Sequence, residues 1–346
     1  MHDTVEILSD SGCFGAANEF DRSKNLAGAA RDLSWLRAVC DGLRLRPFRI
    51  CVRRAGRTIG DLPLAFMSSR LFGRFLVGLP YVNSGGIAAN EPEIADKLIE
   101  EAVRLADRLD VRFLELRHER EVPNARLGHK QTQKVHMRLS LPGTVEELWK
   151  TFHPKVRNQI RKGEKNGFRI SWGTGDLLDA FYDVFARNMR DLGTPVYSRR
   201  LFRTILEVFQ DDAELCLLYD GDRAIAGALL VHGPSATEVP SASSLRAYNA
   251  SCANMLMYWQ LLQRSVQRHQ GVFDFGRSSA ASNTYRFKKQ WGAQPHPAVW
   301  QYYLRQGALD QMRPDSPKYR RKIWVWQHLP VWLTRLTGPH IVRGIP

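Results

Sequence analysis

Three groups of residues in this sequence have types and spacing suited to chemistry: Lys288 and Tyr285 in "TYRFKKQWG", Asp274 and Arg277 at the end of "VFDFGR", and the cations Arg157, Arg161, Lys162 and Lys165 in "FHPKVRNQIRKGEKNGFRI". A lysine held at the edge of a buried face can stabilise a developing oxyanion, and a phenol beside it can pass a proton to a leaving group. A stripe of cations can grip phosphates. Asp274-Phe275-Gly276 resembles the magnesium triplet of a kinase, but the chain has no Gly-rich phosphate loop, strand lysine or His-Arg-Asp loop to accompany it. The triplet therefore reads as a strand end and a turn. There Asp274 either orients a lysine or arginine or caps the turn that follows. No H-E-x-x-H, close His pair, G-x-S-x-G or Walker loop occurs, so neither a metal centre nor a hydrolase triad is expected.

The elements that must hold these groups can be read locally. "TYRFKKQW" predicts a helix capped near Ser282 or Asn283 and stopped at Gly292. At about 100° per residue, Phe287 and Trp291 share one face, Lys288 lies at its edge with Tyr285 beside it, and Lys289 faces water. Lys288 is then either aimed along the surface toward a cleft or snorkelling over apolar neighbours. The second helix runs from Pro154 toward Gly167 with Val156 and Ile160 as its only apolar seam. Arg157, Arg161 and Lys165 fall on one stripe at i, i+4 and i+8, either a phosphate grip or a solvated face. Only Glu164 offsets that charge, whereas solvated helices usually mix signs.

A chain of 346 residues exceeds what one core usually supports, which predicts two domains. Its 50 Lys+Arg against 35 Asp+Glu leave a formal charge of +15, favouring phosphate-bearing partners such as nucleic acid, nucleotide-linked substrates or anionic lipid. Five scattered cysteines without C-x-x-C suggest neither zinc nor a disulfide framework, and imply a reducing compartment. The opening "MHDTVEILSD" lacks a signal-peptide pattern, and no apolar run reaches membrane-spanning length. The expected location is cytoplasmic, with a peripheral place at the inner membrane face as the variant that the tail would allow.

Along the chain, strands around residues 48–81, a helix at 92–109 and a strand at "VRFLELR" make a mixed α/β unit over 1–142. The pattern restarts with "MRLSL" and a Thr144/Glu147 capping box. A second unit over 143–308 follows as a helix pair, a hairpin turning at Asp220-Gly221-Asp222, a strand running to about Tyr248, a helix capped at Ser251, and "GVFDFG" as the next strand. The tail, 309–346, changes composition: from Arg313 it holds seven Lys+Arg, one Asp and three tryptophans, with Pro330 interrupting any helix. It either docks on the protein or lies against an anionic membrane.

"RNQIRKGEKNG", "RNMRDLGTPVYSRRLF", "ANMLMYWQLL" and "FDFGRSSAASNTYRFKKQWGAQPHP" together resemble the FemAB-like proteins associated with exosortase/PEP-CTERM systems, over about residues 30 to 305. The wider relatives are Fem aminoacyltransferases and acetyltransferase domains of the GNAT fold, the BioF2-like type among them. The resemblance implies an α/β fold of two tandem GNAT-like domains with mixed sheets, the working site lying in the second or at the cleft between them. It implies transfer of an acyl or aminoacyl group to an amine of a cell-envelope or exopolysaccharide precursor. Acyl-CoA or aminoacyl-tRNA would be co-substrate, with no tightly bound cofactor. In Fem enzymes a Phe-Lys pair similar to Phe287-Lys288 contributes its lysine to catalysis beside the acceptor. On this basis Lys288, Tyr285 and Asp274 are expected to be catalytic, and Arg157, Arg161, Lys162, Lys165, Tyr197, Arg199, Arg277 and Phe287 to bind substrate. One departure weighs against acetyl-CoA as donor: the phosphate-binding Q/R-x-x-G-x-G/A pattern falls on "NASCANML", which has no glycine. The alternative reading is an RNA- or membrane-binding scaffold of the same fold without catalysis.

Overall fold

The computed structural model describes residues 3–14, 29–83, 85–306 and 320–345. The first strands are β1 (Thr4–Ser9), β2 (Arg46–Arg54), β3 (Arg57–Ser69), β4 (Gly73–Val77) and β5 (Ala88–Ala89), with helix α1 (Ala29–Leu43) between β1 and β2. Helix α2 (Pro92–Arg108) starts on a proline and buries Ile94, Leu98, Ala102 and Leu105, the spacing visible in the sequence. Strands β6 (Phe113–His118) and β7 (His129–Gln131) follow.

The second set opens with β8 (Lys134–Ser140), α3 (Val145–Thr151), α4 (Pro154–Glu164) and β9 (Arg169–Gly173). Thr144 caps α3 by accepting from the Glu147 N–H, as the capping-box reading expects. Next come α5 (Leu178–Leu192), α6 (Arg199–Phe209), β10 (Ala213–Asp220), β11 (Arg223–His232) and β12 (Ala236–Ser244). The hairpin turns where expected, pairing Asp220 with Arg223 around Gly221 at φ +58°. The helix α7 (Ala253–Gln267), β13 (Val272–Ser279), α8 (Asn283–Gln290) and β14 (Gln294–Pro297) complete the set. Two expectations shift here. The strand toward Tyr248 ends at Ser244 because residues 246–248 form a 3-10 turn, and Cys252 rather than Ser251 is the N-cap of α7, since the Ser251 hydroxyl donates to the Tyr248 carbonyl.

After β14 the chain adds β15 (Val299–Leu304) to the first sheet, whose order is β1-β2-β3-β4-β6-β15-β7 with β5 beside β3. The second sheet runs β14-β8-β13-β12-β11-β10-β9. Residues up to Gln133, those from Pro297 and those from His340 form one compact unit, while Lys134–His296 and the tail helices to Pro339 form the other. The boundary expected at 142/143 therefore moves, because β8 is already bonded to β13 through Asp274↔Arg138 and its neighbours. Nor is the tail a separate segment. Its helices α9 (Arg320–His328) and α10 (Val331–Val342), parted at Pro330 as anticipated, rest on α5, and the Tyr81 hydroxyl of the first unit donates to the carbonyls of Val342 and Ile345.

In the second unit, alternation along the strands sends side chains to opposite faces. Cys216 and Leu218 join α3, α4 and α7 in one core, whereas Leu217 meets Phe181 of α5 across Gly227. Among the described residues no helix is long and apolar enough to cross a membrane.

Candidate functional site

The second sheet contains a gap. Strands β12 and β13 are parallel and pair only at Ala236↔Val272, Thr237↔Phe273 and Glu238↔Asp274, after which both continue unpaired with each other. Local chemistry causes the divergence. On β12, Pro240 has no N–H to donate, and the register against β11 shifts there, from Val231↔Glu238 to Leu229↔Ser241. On β13, two residues, Phe275 and Gly276, oppose the single Met137 of β8, and Gly276 takes φ +79°. Beyond Glu238, backbone groups of β12 that face β13 meet an opening instead of a ladder.

Lys288 is bonded to the part of β13 that lies beyond its pairing with β12. The α8 helix forms as read: the Ser282 hydroxyl accepts from the Tyr285 N–H, and Gly292 follows the helix at φ +94°. Lys288 is 8% exposed, and Lys289 faces solvent. The Lys288 ammonium donates to the carbonyls of Gly276 (3.1 Å), the second bulge residue, and of Arg277 (2.9 Å), the residue after it. Of its three N–H donors, one remains for a ligand. Burial pulls its pKa down to about 8, with Asp274 opposing the fall and Arg277 adding to it. Asp274 fills both roles weighed for it. One carboxylate oxygen accepts from the Gly276 N–H (2.7 Å) and so shapes the bulge, while the other accepts from Arg138 Nε (3.0 Å). Asp274 thereby fixes the bulge whose carbonyls receive the Lys288 ammonium.

The start of α7 lies at the same end of the sheet, because α7 leaves β12 and returns to β13, which runs parallel to it. Its link to α8 is direct: Gln290 Nε2 lies 3.6 Å from Met255 Sδ in the first turn of α7. Cys252 occupies the N-cap in a left-handed conformation and makes no side-chain capping bond, so the first N–H groups of α7 are not capped from within. Here the basic helix arrives. A Cβ on Gly163 of α4 would lie 2.8 Å from Leu256 Cβ and 3.1 Å from the Cys252 carbonyl, so the missing side chain permits this contact. The Asn166 amide donates to the Ser251 carbonyl. Exposed Lys162 and Lys165 flank the junction. The rest of the stripe divides: Arg157 is half-buried earlier on α4, and Arg161 lies over the Trp149 ring of α3, 5.5 Å from its centroid.

The other expected residues fall elsewhere or serve differently. Phe287 packs edge-on against Tyr258 at 5.0 Å, which makes it an anchor of α8. Tyr285 is half-buried at the rim of the same core. Arg277 supplies its carbonyl to Lys288. Tyr197 stacks on Phe185 at 5.9 Å and receives the Tyr182 hydroxyl on its carbonyl, so it belongs to the aromatic packing between α5 and α6. Arg199 pairs with Asp179 and lines a cavity of about 810 Å³ with Trp172, Arg264 and Glu214. That cavity is beside β9 and β10. Three inter-strand spacings of about 4.8 Å, roughly 14 Å, separate β10 from β13. Much of its charge is internally matched: burial alone would raise the Glu214 pKa, but hydrogen bonds from His232 and Arg264 outweigh it and hold the carboxyl at about 2. The structure thus brings Lys288, Asp274 and Arg277 together at the β13 bulge, with Tyr285 on the same helix as Lys288 and the α4 lysines at the start of α7, and places Arg199 and Tyr197 elsewhere.

Sequence reasoning missed Arg138 and Pro240. Arg138 carried no local signal, being 136 residues from its partner. Pro240 did carry one, a proline inside the alternating strand "ATEVPSASS".

The profile described as "Acetyltransferase (GNAT) domain" matches residues 150–289, a span that holds α4, α7, β12, β13, Tyr285 and Lys288 but not β8. No curated protein matches the sequence. Among solved structures, FemX is similar at a TM-score of 0.61 and 15% identity, covering 86% of this chain and 98% of its own. The C-terminal domain of a putative lysylphosphatidylglycerol synthetase from Agrobacterium fabrum is similar at 0.56 and 11%, covering 84% and 93%. A tandem GNAT protein from the clavulanic acid biosynthesis pathway is similar at 0.50 and 11%, covering 88% and 100%. The fold is accordingly a mixed α/β tandem of GNAT-like domains.

Proposed function

We propose that the chain is an N-acyltransferase that moves an acyl or aminoacyl group from a phosphate-bearing donor to an amine. The observation that carries this reading is the buried Lys288 ammonium, fixed on the β13 bulge where β12 and β13 part. The amine nitrogen adds to the donor carbonyl, the C–S or C–O bond to the leaving group breaks, and the proton shed by nitrogen ends on that leaving group. Charge develops on the carbonyl oxygen, and the unused N–H of Lys288 is held ready for it without reorganisation. Tyr285, three residues earlier on α8, is assigned to the leaving group as proton donor. Lys162 and Lys165, with Arg157 and Arg161 behind them, are assigned to the donor's phosphates at the α7 start, where helix polarity favours an anion. The gap beyond Glu238 offers strand-like backbone partners to an extended amide-bearing arm.

Both acyl-CoA and aminoacyl-tRNA meet these requirements as co-substrates. The quoted motifs favour, as acceptor, an amine on a cell-envelope or exopolysaccharide precursor of an exosortase/PEP-CTERM system. Thermal-shift screening against acetyl-CoA, longer acyl-CoAs, aminoacyl-tRNA and nucleotide-sugars, followed by turnover of the stabilising class, tests the reading. Lys288→Ala should bind that donor normally and lose about 3 to 4 kcal/mol of transition-state stabilisation, two to three orders of magnitude in turnover. Wild-type turnover by this variant removes Lys288 from the mechanism. Stabilisation by uncharged RNA alone, steeply salt-dependent and without transfer, would favour the RNA-binding scaffold instead.

A further inference from the structure

The tail helices are apolar on more than one side. Their inner side meets α5 and the loop after it through polar and small residues together with half-buried Ile323, Trp326 and Leu333. Gln327 donates to the Asp191 carbonyl, Arg190 donates to the Leu329 carbonyl, Arg335 pairs with Asp183, Thr334 is buried, and Gly338 lies against Val196. Four further large apolar side chains are left exposed: Trp324 at 61%, Val325 at 51%, Trp332 at 66% and Leu336 at 63%. These are four of the seven large hydrophobics exposed among the described residues, within thirteen positions of one another. Exposed Arg321 and Lys322 precede them, and residues 320–346 contain no Asp or Glu. An exposed apolar cluster on basic helices that carry no acid of their own suits a partner that is apolar within and negative at its surface.

We propose that this face is an interfacial anchor that seats the protein on an anionic lipid surface. Trp324 and Trp332 sit at headgroup depth, Val325 and Leu336 reach the acyl boundary, and Arg321 and Lys322 meet lipid phosphates. Apolar insertion and basic attraction are each weak, and stable peripheral binding takes both. The proposal is independent of the acyl-transfer reading.

The test is flotation of the full chain with vesicles of phosphatidylcholine alone and of phosphatidylcholine mixed with phosphatidylglycerol, alongside tryptophan fluorescence. Wild type should float only with phosphatidylglycerol present and shift its emission to the blue. Arg321→Gln and Lys322→Gln should each weaken partitioning about fivefold. Trp324→Ser combined with Trp332→Ser should reduce it at least tenfold and abolish the blue shift. Since these side chains are exposed, Tm in the absence of vesicles should not move. The proposal is overturned if wild type stays in solution with both vesicle types, if it floats equally with both, or if it self-associates in a concentration-dependent way that the tryptophan variants abolish.

Discussion

Lys288 is the residue on which the site and its stability meet, and pH separates the two. The side chain is 8% exposed, and burial pulls its pKa from 10.5 to about 8. Between those values the unfolded chain binds the proton that the folded chain has released, so stability rises with pH across the window. Below about pH 8 both states are protonated and the cost of burying the charge is fully present. Above about pH 10.5 both are neutral and that cost is gone. At about 1.4 kcal/mol per pH unit, the difference amounts to about 3 kcal/mol. Lys288→Met keeps most of the stem and lacks the titration. Urea unfolding of both proteins through this range, at constant ionic strength, isolates the effect, because other titrating groups cancel in the difference. Wild type should gain on the variant by up to about 3 kcal/mol from pH 8 to 10.5. A flat difference would mean a solvated ammonium. A falling one would mean that the two carbonyls hold the charge more strongly than burial opposes it, and either result refutes the geometry. The turnover profile carries the same signature with opposite sign: if the ammonium stabilises the oxyanion, activity has an alkaline limb near pH 8 that the residual activity of the variant lacks.

Asp274→Ala removes the carboxylate that receives Arg138 Nε and the Gly276 N–H, and should cost about 3 kcal/mol or more in urea unfolding. Because Asp274 opposes the fall in the Lys288 pKa, its removal should also move the alkaline limb to lower pH, a shift that simple loss of folded protein would not produce. Gly163→Val puts a branched side chain against Leu256 and the Cys252 carbonyl and should push α4 from the start of α7. The expected result is a raised KM for the donor with kcat largely kept, read from steady-state kinetics; a fall in kcat alone would count against a phosphate role for the α4 lysines.

What the sequence disclosed and what it concealed divide by range. The cap at Ser282, the stop at Gly292 and the unequal burial of Lys288 and Lys289 all follow from contacts within one helix, and spacing alone predicts them. The acceptors of the Lys288 ammonium do not follow in that way. They are carbonyls of a bulge that exists because Asp274 is fixed by Arg138 on a strand 136 residues away. No local propensity encodes that pairing, which is also why the unit boundary was misplaced: β8 has the composition of a strand but nothing in it names its neighbour. The tail shows the opposite case. Its composition left protein and lipid as rival docking partners, and the structure shows the protein contact: Gln327, Arg190 and Arg335 tie the tail helices to α5, while Trp324, Val325, Trp332 and Leu336 stay exposed, an arrangement set by which residues meet α5 and not by composition.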